Sequence, residues 1–346
     1  MAIKLHIINP VNCPSWDDLL LSCDDYSFFQ SSSWAKVLSE SYRYEPLYLT
    51  GISHGELCIS IPLMEVRSLL TGKRGVSLPF TDYCEPIVKN KTHFGPAFEY
   101  LIDCGLEKEW KFIEMRCGDD SLSDSPHSSY YYGHTLHLSK DEGELFSNFR
   151  DSTKRSIKKA IREGVETNIG HTCESVDEFF RLNCITRKMH GLPPQPYSFF
   201  KSVFEHIISK RQGCIVLASY QEKTIAASMY FQFGNKAVYK YGASDYTYQH
   251  LRANNLVMWE AIKWYARNGY KTLCFGRTES ENNGLRQFKA GWGTVERVIK
   301  YHRYDLRKRR FTRNRTRISG FHNKIFSRIP VLLSRYIGKV LYRHVG

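Results

Sequence analysis

Short runs of apolar residues separated by tight turns are the strongest pattern in the second half of the chain. The runs cover 213–220, 224–233 and 236–242, and the second turn is Gly234-Asn235. They are rich in β-branched and aromatic residues, which predicts three β-strands. Because the turns between them are tight, we expect the strands to pair as an antiparallel meander.

After the meander the apolar spacing becomes helical. A helix is predicted over 254–269, with an inner stripe of Leu256, Trp259, Ile262 and Ala266. We expect Asn254 or Asn255 to cap this helix. A strand over 270–276, a short helix over 284–290 and a last strand over 294–304 are predicted to follow.

The first half of the chain mixes helical and strand patterns. We expect Ser32 or Ser33 to cap the first helix and Gly105 to end the second. The face of the third helix is predicted to hold Leu145, Phe149, Ile157 and Ile161. The predicted elements are helices over 28–42, 93–105 and 141–164 and strands over 47–52, 56–66, 111–116 and 134–138.

Charged residues follow the predicted strand 270–276 abruptly. Ligands of open α/β sheets bind beyond the carboxyl ends of strands, so we expect 277–283 to be a loop that lines a cleft. In the short helix 284–290, Arg286 and Lys289 are three residues apart and should point together towards that cleft. Leu285 and Phe288 should then face the core.

The order of elements is that of the second half of a GNAT acyltransferase domain. Four segments resemble the FemAB-like branch of that superfamily: YKYGASD (239–245), 251–293, TRKMHGLPPQP (186–196) and STKRSIKKAIREGV (152–165). FFQSSSW (28–34) resembles the opening of the first domain of such proteins. The resemblance runs from about residue 28 to 304 in order and spacing.

This resemblance implies an α/β (α+β) fold of two tandem GNAT-like domains with mixed, largely antiparallel sheets. The predicted divisions are 1–140 for the first domain, 141–306 for the acyltransferase domain and 307–346 for a basic tail. The implied activity is transfer of an acyl group, from acyl-CoA, to an amine of a cell-envelope or surface-polysaccharide precursor. One alternative is aminoacyl transfer from aminoacyl-tRNA to a peptidoglycan precursor. Another is a non-catalytic adaptor of the same fold that binds membrane or RNA.

The donor-binding turn departs from the usual CoA signature. Arg252 is in place, but Asn255 and Val257 stand where small residues would let the backbone wrap a pyrophosphate. Arg252, Asn254 and Asn255 are nevertheless the candidate donor-binding residues. Acetyl-CoA or another acyl-CoA and aminoacyl-tRNA both stay open as co-substrate. The sequence has neither a Gly-x-Ser-x-Gly elbow nor a cysteine motif for a covalent intermediate.

Three side chains are candidates for catalysis. Lys289 is the foremost, since the resemblance implies that the lysine of this Phe-Lys element assists transfer; the alternative is a solvated surface lysine. Glu279 could accept the proton of the amine, or it could form a structural ion pair with Arg277. Asp245 is a second candidate base, or it hydrogen-bonds its own loop.

Candidate substrate-binding residues come from several segments. Arg187 and His190 lie in a stiff loop with three prolines, where His190 could instead stabilise the loop. The resemblance implies that Lys36 contacts the diphosphate of a sugar-nucleotide precursor. The full set is Arg277, Arg286, Asn282, Arg187, His190, Lys36 and Tyr241.

The net charge of +14 is concentrated in the tail. Residues 307–346 hold twelve Lys or Arg and no Asp or Glu, which leaves 37 basic against 35 acidic residues elsewhere. Two short helices broken at Pro330 are predicted. One face of the first holds Ile318, Phe321, Ile325 and Ile329, and one face of the second holds Leu332, Tyr336 and Val340. Arg335, Lys339 and Arg343 are predicted on the other. Basic, amphipathic helices are typical of membrane-surface binding; packing on the body and RNA binding are the alternatives.

Ten scattered cysteines include no Cys-x-x-Cys pair, so the sequence indicates neither a zinc site nor a redox motif. The first residues lack the pattern of a secretory signal, and no run of 18 apolar residues occurs. We therefore expect reduced core thiols, no metal, and a cytoplasmic location, peripheral to the inner membrane face if the tail binds lipid.

Overall fold

A computed structural model describes residues 3–117, 122–313 and 328–345. Contacts divide them into two compact units. The N-terminal unit holds the described residues of Met1–Tyr132, Arg297–Thr316 and Tyr342–Gly346, and the C-terminal unit holds those of Gly133–Glu296 and Arg317–Leu341. The predicted boundaries at 140 and 306 differ from these divisions, because the last long strand belongs to the N-terminal unit from Arg297 onward.

Fourteen strands occur in the described residues. They are β1 (Leu5–Ile8), β2 (Glu45–Ser53), β3 (Glu56–Ser68), β4 (Gly72–Val76), β5 (Ile87–Val88), β6 (Phe112–Cys117), β7 (Ser129–His137), β8 (Glu166–Gly170), β9 (Gly213–Tyr220), β10 (Lys223–Phe233), β11 (Lys236–Ser244), β12 (Thr272–Glu279), β13 (Val295–Asp305) and β14 (Arg310–Thr312).

Ten α-helices accompany these strands in the part of the chain that the structure describes. They are α1 (Trp16–Leu21), α2 (Ser32–Tyr42), α3 (Phe94–Glu107), α4 (Glu142–Ser147), α5 (Asp151–Arg162), α6 (Cys173–Met189), α7 (Tyr197–Val203), α8 (Ala253–Arg267), α9 (Asn283–Ala290) and α10 (Val331–Val345).

The N-terminal unit is built on a mixed sheet in the order β1-β2-β3-β4-β6-β13. Its neighbours are antiparallel except β4 and β6, which pair in parallel through Gly75↔Ile113 and Val76↔Glu114. Phe94 and Phe98 of α3 stack on each other with ring centroids 5.8 Å apart and pack against the apolar side chains of this sheet.

The C-terminal unit has a second mixed sheet in the order β7-β12-β11-β10-β9-β8. The predicted meander is confirmed, since β9, β10 and β11 pair antiparallel in sequence. β11 then pairs in parallel with β12 from Lys236↔Thr272 to Val238↔Cys274, which leaves the carboxyl-terminal halves of both strands outside that ladder. The mixed α/β fold class predicted from the sequence is therefore confirmed.

The core of the C-terminal unit forms where α8 packs on this sheet. The predicted stripe of Leu256, Trp259, Ile262 and Ala266 is buried as expected. Phe149 makes edge-on contacts with Trp259 and with Trp292, at 5.4 Å and 5.0 Å between ring centroids. Aromatic side chains separated by more than 140 residues thus fix α8 and the end of α9 in one core.

Several predicted boundaries are wrong. The helix predicted over 141–164 is two helices, because Arg150 has extended backbone angles and starts α5. Ile161 is consequently 57% exposed instead of buried. Ser31, rather than Ser32 or Ser33, caps α2 by accepting from the Trp34 amide. Gly105 lies inside α3, which continues to Glu107.

The strand predicted over 270–276 is also longer than expected. β12 continues through Arg277 to Glu279, so the predicted loop 277–283 begins only after these charged residues. The short strands β1 and β8 and the helices α6 and α7 were not predicted. Their apolar residues are spaced too irregularly, or over too few residues, to give a clear period.

The predicted tail has one helix in the described residues, α10, which follows Pro330. Ile318, Phe321 and Ile325 of the other predicted helix lie outside the described residues. In α10 the buried positions are Ser334 and Gly338, whereas Leu332, Tyr336 and Val340 are exposed. The alternative in which the apolar stripe packs on the protein body is therefore wrong for this helix.

All ten cysteines are free thiols, seven of them buried. Burial raises the pKa of Cys214 to about 12, so this thiol is protonated and unreactive. Among the described residues, no helix is both long and apolar enough to cross a bilayer.

Candidate active site

The carboxyl-terminal half of β12 is distorted at Gly276, whose φ is +66°. Successive carbonyls of a regular strand point to opposite sides, and a positive φ breaks that alternation. Here the carbonyl oxygens of Gly276 and Arg277 both accept hydrogen bonds from Lys289 Nζ, at 3.2 Å and 2.9 Å. Glycine tolerates this backbone because it has no Cβ.

Lys289 is the one buried residue of α9 and only 3% exposed. The alternative of a solvated surface lysine is therefore wrong. Leu285 and Phe288, which we expected to face the core, are only partly buried. The helix turns its lysine inward because the two β12 carbonyls give the ammonium hydrogen-bond partners away from water.

A buried histidine lies beside Lys289. His134 of β7 is fully buried, and its Nε2 is 3.1 Å from Glu296 Oε2, within ion-pair distance but without hydrogen-bond alignment. Burial lowers the pKa of His134, and the charge of Lys289 lowers it further, while Glu296 opposes both. The imidazole is therefore neutral at neutral pH.

Arg286 completes this cluster from the more exposed side of α9. Its guanidinium donates two hydrogen bonds to the Glu296 carboxylate, at 2.7 Å and 2.6 Å. These bonds lower the pKa of Glu296 and keep it ionised. Arg286 thus has a structural partner in Glu296. We use the name lysine cluster for Lys289, His134, Glu296 and Arg286.

Sequence reasoning missed His134 and Glu296. They lie on β7 and β13, separated by more than 160 residues, and neither belongs to a recognisable motif. The one signal was a histidine at an inward position of the short apolar run HTLHL. A polar residue at a core position of a strand is a reason to look for a buried partner.

Arg277 and Glu279 lie on the same side of β12, on either side of buried Thr278. Their charged groups are 3.8 Å apart, and the side chains are 30% and 50% exposed. A pair this open contributes little to stability. The Arg277–Glu279 contact fits the predicted structural ion pair. It also places one positive and one negative side chain at the carboxyl end of β12, next to the carbonyls that Lys289 binds.

A second site lies at the amino end of α8. A cavity of about 170 Å³ is lined by the predicted donor-binding residues together with neighbouring side chains, namely Ile225, Ala226, Ser244, Asp245, Tyr248, Gln249, Arg252, Ala253, Asn254, Asn255 and Phe288. Phe288 connects it in sequence to Lys289. We name it the α8 cavity.

Arg252 begins α8 with a left-handed backbone, φ +62°, and no side chain caps the helix. The expected cap by Asn254 or Asn255 is therefore wrong; the Asn254 amide instead donates to Ser244 Oγ at 3.1 Å. Without a side-chain cap, the first-turn amides and the helix dipole favour an anion at this end of the cavity.

Asp245 lines the same cavity but is tied into its own loop. Its Oδ1 accepts from the amide and hydroxyl of Thr247, at 3.1 Å and 2.6 Å, and its Oδ2 from Lys223 at 3.3 Å. The Thr247 bonds, followed by Lys223, lower its pKa. This arrangement favours the loop-stabilising interpretation over a role as general base.

Three other candidates have structural partners. Asn282 caps α9 by accepting from the Leu285 amide at 3.1 Å. Arg187 donates to the Pro193 carbonyl at 3.3 Å and so braces the proline loop. His190 ends α6 and is exposed.

Tyr241 and Lys36 belong to neither the lysine cluster nor the lining of the α8 cavity. Tyr241 packs with three phenylalanine rings, at centroid distances between 6.0 Å and 6.3 Å, from Phe179, Phe199 and Phe200. Lys36 lies on α2 in the N-terminal unit, whereas the other candidates belong to the C-terminal unit.

Comparison with known proteins gives two sequence matches. Residues 147–290 match the family model described as an acetyltransferase (GNAT) domain. A segment of 136 residues is 26% identical to the UDP-N-acetylmuramoylpentapeptide-lysine N(6)-alanyltransferase of Weissella viridescens. That segment covers 39% of this chain and 39% of the alanyltransferase. The match to the family model includes α8, β12 and α9.

Solved structures extend the likeness beyond this segment. The crystal structure of FemX has a TM-score of 0.69 at 14% identity, over 86% of this chain and 97% of FemX. A tandem GNAT protein from the clavulanic acid biosynthesis pathway has a TM-score of 0.57 at 8% identity, over 88% of this chain and 99% of that one. At these identities the likeness concerns the fold, which is that of tandem GNAT proteins.

The state of His134 predicts a pH dependence of stability. Its folded pKa is below the ordinary 6.5, so the unfolded chain binds a proton first as pH falls. The contribution of neutral His134 to the free energy of unfolding is complete above about pH 6.5 and is lost as the pH falls below that value. We expect the free energy of unfolding to fall less between about pH 7.5 and 5.5 in His134→Gln than in the unmodified chain.

Urea unfolding at each pH measures this difference. His171 and His302, whose pKa values burial also lowers, are present in both proteins and cancel. Glu296 titrates below this window. Equal pH slopes for the two proteins would mean that His134 is not held neutral by its surroundings.

Proposed function

We propose that this chain, which matches the GNAT acetyltransferase model over residues 147–290, is a FemAB-like N-acyltransferase acting on an amine of a cell-envelope precursor. The observation that carries this proposal is the lysine cluster beneath the carboxyl end of β12. There a buried ammonium and an exposed Arg277–Glu279 pair meet at one strand end. Ligands of open α/β sheets bind at such ends.

In the proposed reaction the amine nitrogen attacks the carbonyl carbon of the donor directly. A C–N bond forms, the bond from the carbonyl to the donor's sulfur or oxygen breaks, and the nitrogen loses a proton. Negative charge develops on the carbonyl oxygen before the leaving group departs. A fixed positive charge in a site shielded from water stabilises that charge strongly, and Lys289 would supply it.

The proton of the amine needs an acceptor. Asp245 is occupied by three hydrogen bonds, and His134 is fully buried. Glu279 is half exposed at the end of β12, where an incoming amine could reach it. We therefore assign Glu279 as proton acceptor and Arg277 as the residue that binds an anionic group of the substrate.

Acyl-CoA is the donor that we propose, because the α8 cavity offers uncapped helix amides and Arg252 to a pyrophosphate. An aminoacyl donor such as aminoacyl-tRNA is the second candidate. The 26% identical relative, by its name, transfers alanine. Asn255 at the position of a small residue also favours the second candidate.

For the acceptor we propose an amine on a sugar-linked envelope precursor. The relative's name specifies the N6 amine of a lysine in UDP-N-acetylmuramoyl pentapeptide. Lys36, in the N-terminal unit, stays a proposed diphosphate contact. The proposal places the enzyme in the cytoplasm, where nucleotide-linked precursors and both donor classes are available, with access to an anionic membrane surface.

Donor binding can be tested by thermal unfolding with acetyl-CoA and, separately, with alanyl-tRNA. A donor present at 100 times its dissociation constant should add about 2.7 kcal/mol to the free energy of unfolding. We expect a response to acetyl-CoA that Arg252→Glu abolishes. A response to alanyl-tRNA alone would establish the second candidate, and no response to either would contradict the proposed function.

Lys289 can be tested by steady-state kinetics with the donor so identified. We expect Lys289→Met to lower kcat by about 10²–10³-fold with little change in KM, because its charge acts on the transition state. Lys289→Arg should recover part of the rate. Lys271→Met, which removes an exposed lysine ahead of the same strand, is the matched control. Unchanged kcat in Lys289→Met would remove this residue from the mechanism.

A further inference from the structure

Helix α10 packs on the C-terminal unit through its smallest residues. Ser334 and Gly338, four apart, are its buried positions. A Cβ added to Gly338 would come within 2.1 Å of the Pro194 carbonyl oxygen, so only glycine permits this approach. On the same side, the Arg335 guanidinium lies over the Phe180 ring, 4.9 Å from its centroid.

The opposite side of α10 is apolar and faces outward. Leu332, Leu333, Tyr336 and Val340 are 77%, 51%, 67% and 46% exposed. At 3.6 residues per turn, these four side chains fall within an arc of about 100°, opposite Ser334 and Gly338. Water-facing helices of soluble proteins normally place polar residues on such an arc.

Basic side chains flank this apolar arc in the described residues. Lys339 is exposed beside Leu332 on the helix, and Arg328 is exposed just before it. From 307 to the end the chain has twelve Lys or Arg and no acid. The predicted separation of apolar and basic residues onto opposite faces is wrong. Lys339 and Arg343 are exposed on the side of the apolar arc, whereas the Arg335 guanidinium turns to Phe180.

We propose that the outward side of α10, comprising Leu332, Leu333, Tyr336, Lys339 and Val340, docks the protein on an anionic lipid surface. Leucine and tyrosine side chains would enter the headgroup boundary, while Lys339 and Arg328 would lie among anionic headgroups. A second copy of this chain is a poorer fit, because two faces of like charge would repel. Nucleic acid is also a poorer fit, because binding to its phosphate backbone depends on basic side chains and would leave the four apolar side chains without a partner.

Lipid binding by this surface is a separate property from the proposed acyl transfer, and it does not depend on which acyl donor the enzyme uses. It would hold the enzyme where envelope precursors meet the membrane while leaving the lysine cluster and the α8 cavity, formed by other elements, unoccupied by lipid. Binding to lipid and turnover of a soluble acceptor are therefore separate readouts. Failure of one does not imply failure of the other.

The test is flotation of the full chain with vesicles of phosphatidylcholine containing about 30% phosphatidylglycerol, and with phosphatidylcholine alone. The double variant Leu332→Gln, Tyr336→Gln should reduce binding to anionic vesicles by about tenfold or more. Lys339→Gln should reduce it by about fivefold, on anionic vesicles only. The matched control is Leu21→Gln, Tyr100→Gln, which removes two large side chains of the N-terminal unit, each 41% exposed, and should bind like the unmodified chain.

Thermal unfolding and gel filtration of the same variants show whether another segment of this chain or a second copy covers this surface instead of lipid. We expect an unchanged Tm for Leu332→Gln, Tyr336→Gln, since its side chains are exposed. A lowered Tm with unchanged flotation would mean that another segment of the chain covers this surface. A dimer that the double variant dissociates would identify a second copy as the occupant, and equal flotation of both double variants would also overturn the proposal.

Discussion

The hydrogen bonds from Lys289 to two successive carbonyls of β12 are the interaction on which the candidate site depends. They require the backbone distortion at Gly276, because a regular strand would point one of the two carbonyls away. They draw α9 against the end of β12. The same placement puts a positive charge below Arg277 and Glu279 at the strand's carboxyl end.

A buried lysine is costly unless its charge is compensated. Here two carbonyl dipoles face it directly, and the Glu296 carboxylate lies in the same cluster, 3.1 Å from His134. Arg286 keeps Glu296 ionised, and His134 stays neutral and so adds no further positive charge. The cluster therefore keeps one ammonium in a shielded position, which is what stabilisation of a developing oxyanion needs.

The sequence predicted the fold well where the apolar residues recur with one regular spacing, that of a strand or that of a helix. The meander and the buried stripe of α8 follow from regular spacing. The charges after Phe275 were predicted to lie in a loop, whereas Arg277 and Glu279 belong to β12. The kink at Gly276 was not predictable, since glycine in a strand also occurs without a distortion. His134 and Glu296 were missed because their proximity to Lys289 is created by pairing of distant strands.

The faces of α10 were assigned wrongly for a different physical reason. A stripe of Leu332, Tyr336 and Val340 predicts a contact surface but not what it contacts. The decisive feature was Gly338, since its close approach to Pro194 fixes which side of the helix packs on the body. Small residues opposite an apolar stripe therefore carried more information than the stripe itself.

The most direct measurement of the central claim is an NMR titration of the His134 imidazole, assigned by comparison with His134→Gln. The account predicts a pKa below 6.5 in the unmodified chain, and a higher pKa in Lys289→Met, because the neighbouring positive charge is then absent. The same pKa in both proteins, or a pKa above 6.5 in the unmodified chain, would contradict a buried ammonium at this position.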